Sequence, residues 1–167
     1  MDYRLWTYNL ANMNKILHIL ETVKDPEIPV LSLVDLGVIT DVVVDGDTVL
    51  VKMTPTFVGC PAMDYMKAEV ETALQQHGYK PHVTISFEKP WSSDLISEKG
   101  KAALKKYGLA PPPDNKLFTD LEILETATCP RCNGTNTELK TPFGPTLCRA
   151  LYYCHSCKEA FEQFKPV

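Results

Sequence analysis

Two Cys-x-x-Cys pairs, Cys129-Pro-Arg-Cys132 and Cys154-His-Ser-Cys157, stand 21 residues apart in the last quarter of a 167-residue chain. Each pair turns two sulfurs toward one point, and the chain between them is long enough to return as a hairpin carrying the second pair. Four thiolates so placed predict a tetrahedral zinc site, with iron the alternative metal that accepts four sulfurs. Saturation by protein ligands predicts a structural metal, because a hydrolytic zinc keeps one position for water. A segment this small has little core, so the metal would supply folding free energy that packing cannot. Arg131, Arg149 and Lys158 are near enough in sequence to offset the negative charge of four thiolates on one divalent ion. Two further candidates are left over. Cys148 is expected as a small buried residue on the second ribbon hairpin, or as a substitute ligand during metal or cluster exchange; His155 is expected at the knuckle surface.

The sixth cysteine, Cys60, stands alone in Thr54-Pro-Thr-Phe-Val-Gly-Cys60-Pro61, between a predicted strand and a predicted helix. The free N–H groups and positive end of a helix favour a thiolate there, so a reactive thiol and an inert buried cysteine are both open readings. Asp25 and Glu27 flank Pro26 on a stiff loop closed by Pro29, a pattern that alone reads as a solvated helix terminus. No P-loop, G-x-G-x-x-G, H-E-x-x-H or Ser-His-Asp pattern accompanies them, and none of the four histidines has a context that marks it as a base.

The elements that must position these groups follow from periodicity. Met13, Ile16, Leu17, Leu20 and Val23 share one helical face, with Asn12 the predicted N-cap and an end forced before Pro26. Residues 38–44 and 48–54 are β-branched runs joined through Asp45-Gly46-Asp47, which predicts a hairpin. A second helix is predicted from Pro61 to Gly78 with Met63, Met66, Val70, Ala73 and Leu74 inward. Residues 82–88 alternate as a half-buried strand, with Val83, Ile85 and Phe87 on one face. Residues 93–107 predict a polar third helical stretch interrupted at Gly100, before Pro111-Pro112-Pro113 sets a semi-rigid spacer. The fold class predicted is α/β (α+β): a small mixed sheet packed with helices over residues 1–110, a Pro-rich linker over 111–125, and a zinc ribbon over 126–167.

Composition sets bounds. Hydrophobic residues make up 44% of the chain, enough for a core. The longest nearly apolar run, 30–39, is far short of the roughly 20 residues that span a bilayer. With no basic and apolar leader at its start, the chain is expected to be cytoplasmic, where thiols persist as ligands or nucleophiles. Charge is uneven: residues 1–125 carry 12 basic against 18 acidic side chains and residues 126–167 five against three. So slight a basic excess argues against a nucleic-acid surface and for protein contact through the ribbon.

Asp25-Pro-Glu-Ile-Pro-Val30, Asp35-Leu-Gly-Val38, Thr54-Pro-Thr56 and Gly59-Cys-Pro-Ala-Met63, in this order, resemble the small α/β family of iron–sulfur assembly and targeting factors related to SufT. Pro90-Trp-Ser-Ser-Asp94, Tyr107-Gly-Leu-Ala-Pro-Pro112 and the ribbon narrow the resemblance to the PaaD (PaaJ) branch, the D subunits of phenylacetyl-CoA 1,2-epoxidase systems. It runs from about Leu17 to Phe164. The resemblance implies a part in phenylacetate degradation, where a diiron oxygenase and an iron–sulfur flavin reductase act on the CoA-linked ring and a small accessory component assists metal or cluster maturation. It implies that Cys60 is the reactive thiol, with Asp25, Glu27 and Thr56 beside it. Where the wider family has Thr-Pro ahead of Gly-Cys, this chain has Phe57-Val58.

The chain is not expected to be the oxygenase, since Glu69 and Glu71 lack the Glu-x-x-His partners of a diiron bundle, nor the reductase, since no flavin or nicotinamide motif is present. The expectation is a carrier of iron or an iron–sulfur cluster through Cys60, partnered by the oxygenase and reductase subunits. One thiolate cannot hold a cluster, so a homodimer or a partner's ligands would complete the site. The alternatives are a structural bridge within the complex, a thiol enzyme and a nucleic-acid-binding ribbon.

Overall fold

The computed structural model describes residues 10–113 and 127–165. Residues 1–9 of the predicted first unit, most of the predicted linker, and residues 126, 166 and 167 of the predicted ribbon lie outside the described residues. The chain order is α1 (Leu10–Thr22), β1 (Ile39–Asp45), β2 (Thr48–Met53), α2 (Met63–Gln76), β3 (Lys80–Ile85), a 3₁₀ turn (Ser93–Leu95), α3 (Glu98–Tyr107), β4 (Leu109–Ala110), β5 (Thr137–Thr141), β6 (Arg149–Cys154) and β7 (Glu159–Phe164). The predicted α/β class with a carboxy-terminal ribbon is what the molecule adopts.

The first sheet runs β1-β2-β3, with β1 antiparallel and β3 parallel to the central β2. In β2 alternate residues Val49, Val51 and Met53 are buried while Leu50 faces out, the period-2 pattern of a strand with one covered face. Gly46, with φ of 61°, makes the two-residue β1–β2 turn as predicted. Ile16 and Leu20 of α1 and Met66, Val70 and Leu74 of α2 fill the other side of this core. The apolar run after Pro29 is neither strand nor span: it turns on itself and buries Leu31, Leu33, Leu36 and Val38.

Four sequence expectations need correction. Helix α1 already includes Asn12, whose Oδ1 accepts a hydrogen bond from the Tyr79 hydroxyl (2.9 Å) instead of capping a helix. Strand β3 stops at Ile85, opposite the last residue of β2, so Phe87 lies beyond the ladder and is exposed. Gly100 does not interrupt α3. It sits in the first turn, where an added Cβ would lie 2.8 Å from the Asp35 carbonyl oxygen, so it permits a close crossing. Pro61 precedes α2 and does not start it, because the chain from Phe57 to Met63 closes successive turns first (Cys60 N–H to the Phe57 carbonyl, 3.2 Å; Met63 N–H to the Cys60 carbonyl, 3.3 Å).

The second sheet has order β4-β7-β6-β5. Its outer strand β4 follows α3 directly and pairs parallel with β7. Tyr152 and Phe161 stack at 5.5 Å in the ribbon's own core. Phe164 belongs to the first core, tilted 5.6 Å from Trp91, whose Nε1 donates to the Leu36 carbonyl (3.0 Å). The two halves are therefore sewn together by packing at β4, β7 and Trp91.

Candidate functional site

The strongest sequence feature is also the best-formed site. Cys129, Cys132, Cys154 and Cys157 bring their sulfurs within 4.8 Å of one another. Cys129 and Cys157 are 3.7 Å apart and Cys132 and Cys154 3.6 Å. A tetrahedral zinc with Zn–S bonds of about 2.3 Å needs sulfur–sulfur edges of about 3.8 Å, so the donor set fits the ion. The two knuckles repeat one geometry. Asn133 N–H bonds the Cys129 carbonyl and Lys158 N–H the Cys154 carbonyl, both at 2.9 Å, and Asn133 and Lys158 both take the left-handed conformation (φ 58° and 63°).

Backbone N–H groups of Cys157 and Ser156 hold the Cys154 thiol down to about 6, while burial and the neighbouring sulfurs push Cys157 up to about 12. Four thiolates repel one another in one place, and a divalent cation removes that conflict. Such a metal would be held by these four cysteines and would supply cross-linking of the two knuckles. Of the expected counter-charges, Arg131 pairs with Glu159 (3.7 Å), but Arg149 is turned away to Glu162 (2.9 Å) and to the Glu27 carbonyl (2.9 Å). His155 is no ligand. It reaches the Glu138 carboxylate (3.0 Å) and meets Tyr153 edge-on.

The second site lies at the seam between the halves. Glu27, Thr56, Phe57, Cys60 and Pro61 from the first half and Gly144 to Cys148 from the ribbon line a cavity of about 250 Å³. Strand β2 leads into buried Thr54 and Pro55, and the turns that follow leave Thr56 and Cys60 half-buried ahead of α2. Cys60 thus sits two residues further from the helix than its expected place beside the first turn. The segment between them leaves Phe57 exposed and Val58, at 78%, almost fully so.

Of the residues expected around Cys60, Glu27 and Thr56 share its cavity and Asp25 does not. The Asp25 carboxylate is engaged by the loop itself, accepting from the N–H groups of Glu27 (2.8 Å) and Ile28 (2.9 Å), which fixes the turn that carries Glu27. Asp25 also borders a separate groove with Tyr65 and Glu69.

What sequence reasoning did not foresee is the place of Cys148. Its sulfur is 3.1 Å from the Thr146 hydroxyl, its carbonyl accepts from Lys165 N–H (2.9 Å), and it packs against the first core, not the ribbon's. Burial pushes the Cys148 thiol up, opposed by the Thr146 hydrogen bond and Arg149, and reinforced by the charges of Glu27 and Asp25. The loop leading to it is pinned by Gly144 N–H to the Arg149 carbonyl (2.8 Å). Only the residue type hinted at this: a cysteine outside the Cys-x-x-Cys spacing.

A further network holds the fold without joining either site. Asp35 accepts from the hydroxyls of Ser32 (2.6 Å) and Ser97 (2.7 Å) and faces Lys99 (3.4 Å). Burial resists its ionisation, but these partners outweigh burial and hold the carboxyl below its ordinary range. Ser97 also caps α3 through Gly100 N–H (2.9 Å).

Comparison with known proteins divides the chain at the same seam. The family model described as an iron–sulfur cluster assembly protein matches residues 14–87, and that described as the PaaD zinc beta ribbon domain matches residues 113–165. The chain is 34% identical over 163 residues, 97% of its own length and 98% of the relative's, to the putative 1,2-phenylacetyl-CoA epoxidase D subunit of Escherichia coli. It is 39% identical over 100 residues, 57% of its length and 92% of the relative's, to an Fe-S protein maturation auxiliary factor of Porphyromonas gingivalis. Among solved structures, a domain of unknown function (DUF59) from Bacillus anthracis superimposes with a TM-score of 0.53 at 31% identity, covering 57% of this chain and 92% of that one. No helix among the described residues is long and apolar enough to cross a membrane.

Proposed function

The chain belongs to the PaaD family, the D subunits of phenylacetyl-CoA epoxidase systems, and from that premise we propose that it is an accessory component which carries iron, alone or in a cluster, to the oxygenase or reductase. The observation that supports this most is the cavity. Cys60, Thr56 and Glu27, from two separate stretches of sequence, line one recess. A thiolate suits iron, and a recess with few protein ligands lets go of its cargo more readily than a saturated site. In this reading Cys60 binds the iron directly, Glu27 and Thr56 line the same recess with Glu27 supplying negative charge, and Asp25 positions Glu27 through the turn. The four-cysteine zinc keeps the ribbon folded and takes no part in transfer. Bound iron is cargo here, and the compartment that fits free thiols at this density is the cytoplasm.

The test is transfer itself. Cys60→Ser should leave the zinc content and the fold unchanged and lower the iron occupancy of the co-produced oxygenase or reductase to the level found without this chain. Unchanged occupancy would overturn the proposal.

A second reading, a structural bridge between the components, is favoured by the exposed apolar side chains at the cavity mouth and nearby: Phe57, Val58, Phe143 and Leu147. Under it Cys60→Ser is silent, and removal of residues 126–167 dissociates the complex.

A further inference from the structure

We propose that the mouth of the seam recess is the docking surface for a client subunit, which inserts one large apolar side chain between Phe57 and Leu147 and sets a Lys or Arg against Glu27. This rests on the accessory-component reading and adds to it where the client is met and by what chemistry.

The size of the recess selects the kind of occupant. It holds about 250 Å³, whereas sites for drug-sized ligands and cofactors run to roughly 300–1,000 Å³. A pocket of the smaller size suits a single anchoring side chain of a protein partner. Its wall is largely apolar, with Phe57, Pro61, Pro145 and Leu147. Apolar exposure gathers at the same opening. Phe57 and Leu147 line it, Val58 follows Phe57 and is 78% exposed, and Phe143, 63% exposed, precedes the lining residue Gly144. Apolar side chains scattered singly over a surface need no partner, but several grouped around one opening mark a contact site.

Charge selects the partner. Glu27 is exposed and is the one charged residue among those lining the recess. On the other side of its loop, Asp25 and Glu69 border the neighbouring groove, where Lys24 is drawn to the Glu21 carbonyl (2.8 Å). The cations nearest the mouth are engaged: Arg149 bonds Glu162 and the Glu27 carbonyl, and Lys165 lies over the Phe143 ring at 5.0 Å. An apolar centre beside an acidic rim is complementary to an apolar anchor flanked by a basic residue, and a charge pair at the rim steers encounter and fixes register.

The surface is also preformed. The Arg149 guanidinium ties the ribbon to the Glu27 loop, and the Gly144 N–H donates to the Arg149 carbonyl (2.8 Å), so both walls are fixed before a client arrives. The ribbon wall, 144–148, falls within the stretch matched by the PaaD ribbon model, and the assembly-protein match ends at residue 87. The complete mouth therefore belongs to chains that carry this ribbon, which points to an epoxidase component as the client.

The experiment titrates the full zinc-loaded, reduced chain against the isolated oxygenase and the isolated reductase component, with binding followed by biolayer interferometry and the chain's own mass by light scattering. The wild type should bind one of the two, more weakly as salt rises. Val58→Asp and Leu147→Asp should each weaken binding at least about 10-fold, a loss typical of a central interface side chain. Glu27→Lys should weaken it to a similar degree and remove the salt dependence. Leu50→Asp, on the outward face of β2 in the first sheet, should bind like the wild type. Zinc content and thermal unfolding are compared in every variant; should Leu147→Asp disturb the ribbon, Val58→Asp decides, because so exposed a side chain holds no core. Wild-type affinity in both Val58→Asp and Glu27→Lys overturns the proposal, as does a wild type that binds neither component, or an equal loss in Leu50→Asp. A wild-type dimer that Val58→Asp splits would mean that a second copy covers this face, and overturns it as well. The carrier reading is scored apart from docking, by labile iron in the isolated chain and its loss in Cys60→Ser.

Discussion

The four sulfurs of the ribbon converge on one point, whereas the two cysteines at the seam, Cys60 and Cys148, line a recess without forming a ligand cluster with its other walls. In the ribbon all four sulfurs lie within 4.8 Å of one another, and the backbone is folded twice in the same way to hold them. At the seam Cys60, Cys148 and Glu27 are lining residues of a recess with an open mouth and a largely apolar wall. A closed site retains its ion and stabilises a fold; an open one can exchange it. Within one small chain, the number of ligands is what separates architecture from proposed cargo.

That contrast can be broken at the ribbon first. Removing zinc, or replacing Cys154 by Ser, should unfold residues 127–165, since structural zinc contributes about 10–16 kcal/mol in isolated zinc-finger peptides. Because Phe164 packs on Trp91, the indole fluorescence of the first half should change as well. A ribbon that keeps its protease resistance after chelation would show that packing, not the metal, holds it.

The next largest effect is expected at the clamp between the two sites. Arg149→Met removes one member of a largely buried pair and should cost up to about 3 kcal/mol, the lower end for such a loss because Glu162 keeps some access to water. Zinc content should be unchanged while alkylation of Cys148 accelerates. Equal alkylation rates in the two proteins would mean that the seam does not depend on Arg149.

Away from both sites, Asp35→Asn should cost about 2 kcal/mol by weakening its charge-assisted hydrogen bonds with Ser32 and Ser97. The sign with pH follows from the lowered carboxyl: its contribution is fully present above the unfolded value of about 3.9 and is lost as pH falls through the folded value. Denaturant titrations of wild type and variant should therefore converge in acid, and a constant gap at every pH would remove the ionic part of the account. The smallest effect is expected for Trp91→Phe, about 1 kcal/mol for the hydrogen bond to Leu36, with both sites intact by zinc and thiol counts.

The two sites also differ in how far the sequence discloses them. A Cys-x-x-Cys knuckle is a local object: two residues of spacing set its turn, and only the return hairpin had to be assumed. The Cys60 loop was visible through the chain's resemblance to the assembly factors, because glycine, cysteine and proline between a strand and a helix form a compact pattern. Cys148 has no such local mark. Its place depends on how β6 and β7 seat the ribbon on the first core, through Phe164 against Trp91 and Arg149 against Glu27, and pairings over that range are set by tertiary packing. The same reason hid the role of Gly100, which is settled by the Asp35 carbonyl crossing above it. Asp25 is the converse case: its carboxylate was expected beside the thiol, and what the sequence left unseen is that it accepts two hydrogen bonds from the turn that presents Glu27.

The measurement that bears most directly on the carrier account is the metal content of the chain purified anaerobically, wild type beside Cys60→Ser. The account predicts one zinc per chain in both and additional labile iron in the wild type alone. Equal iron in the two proteins, or none in either, would contradict it.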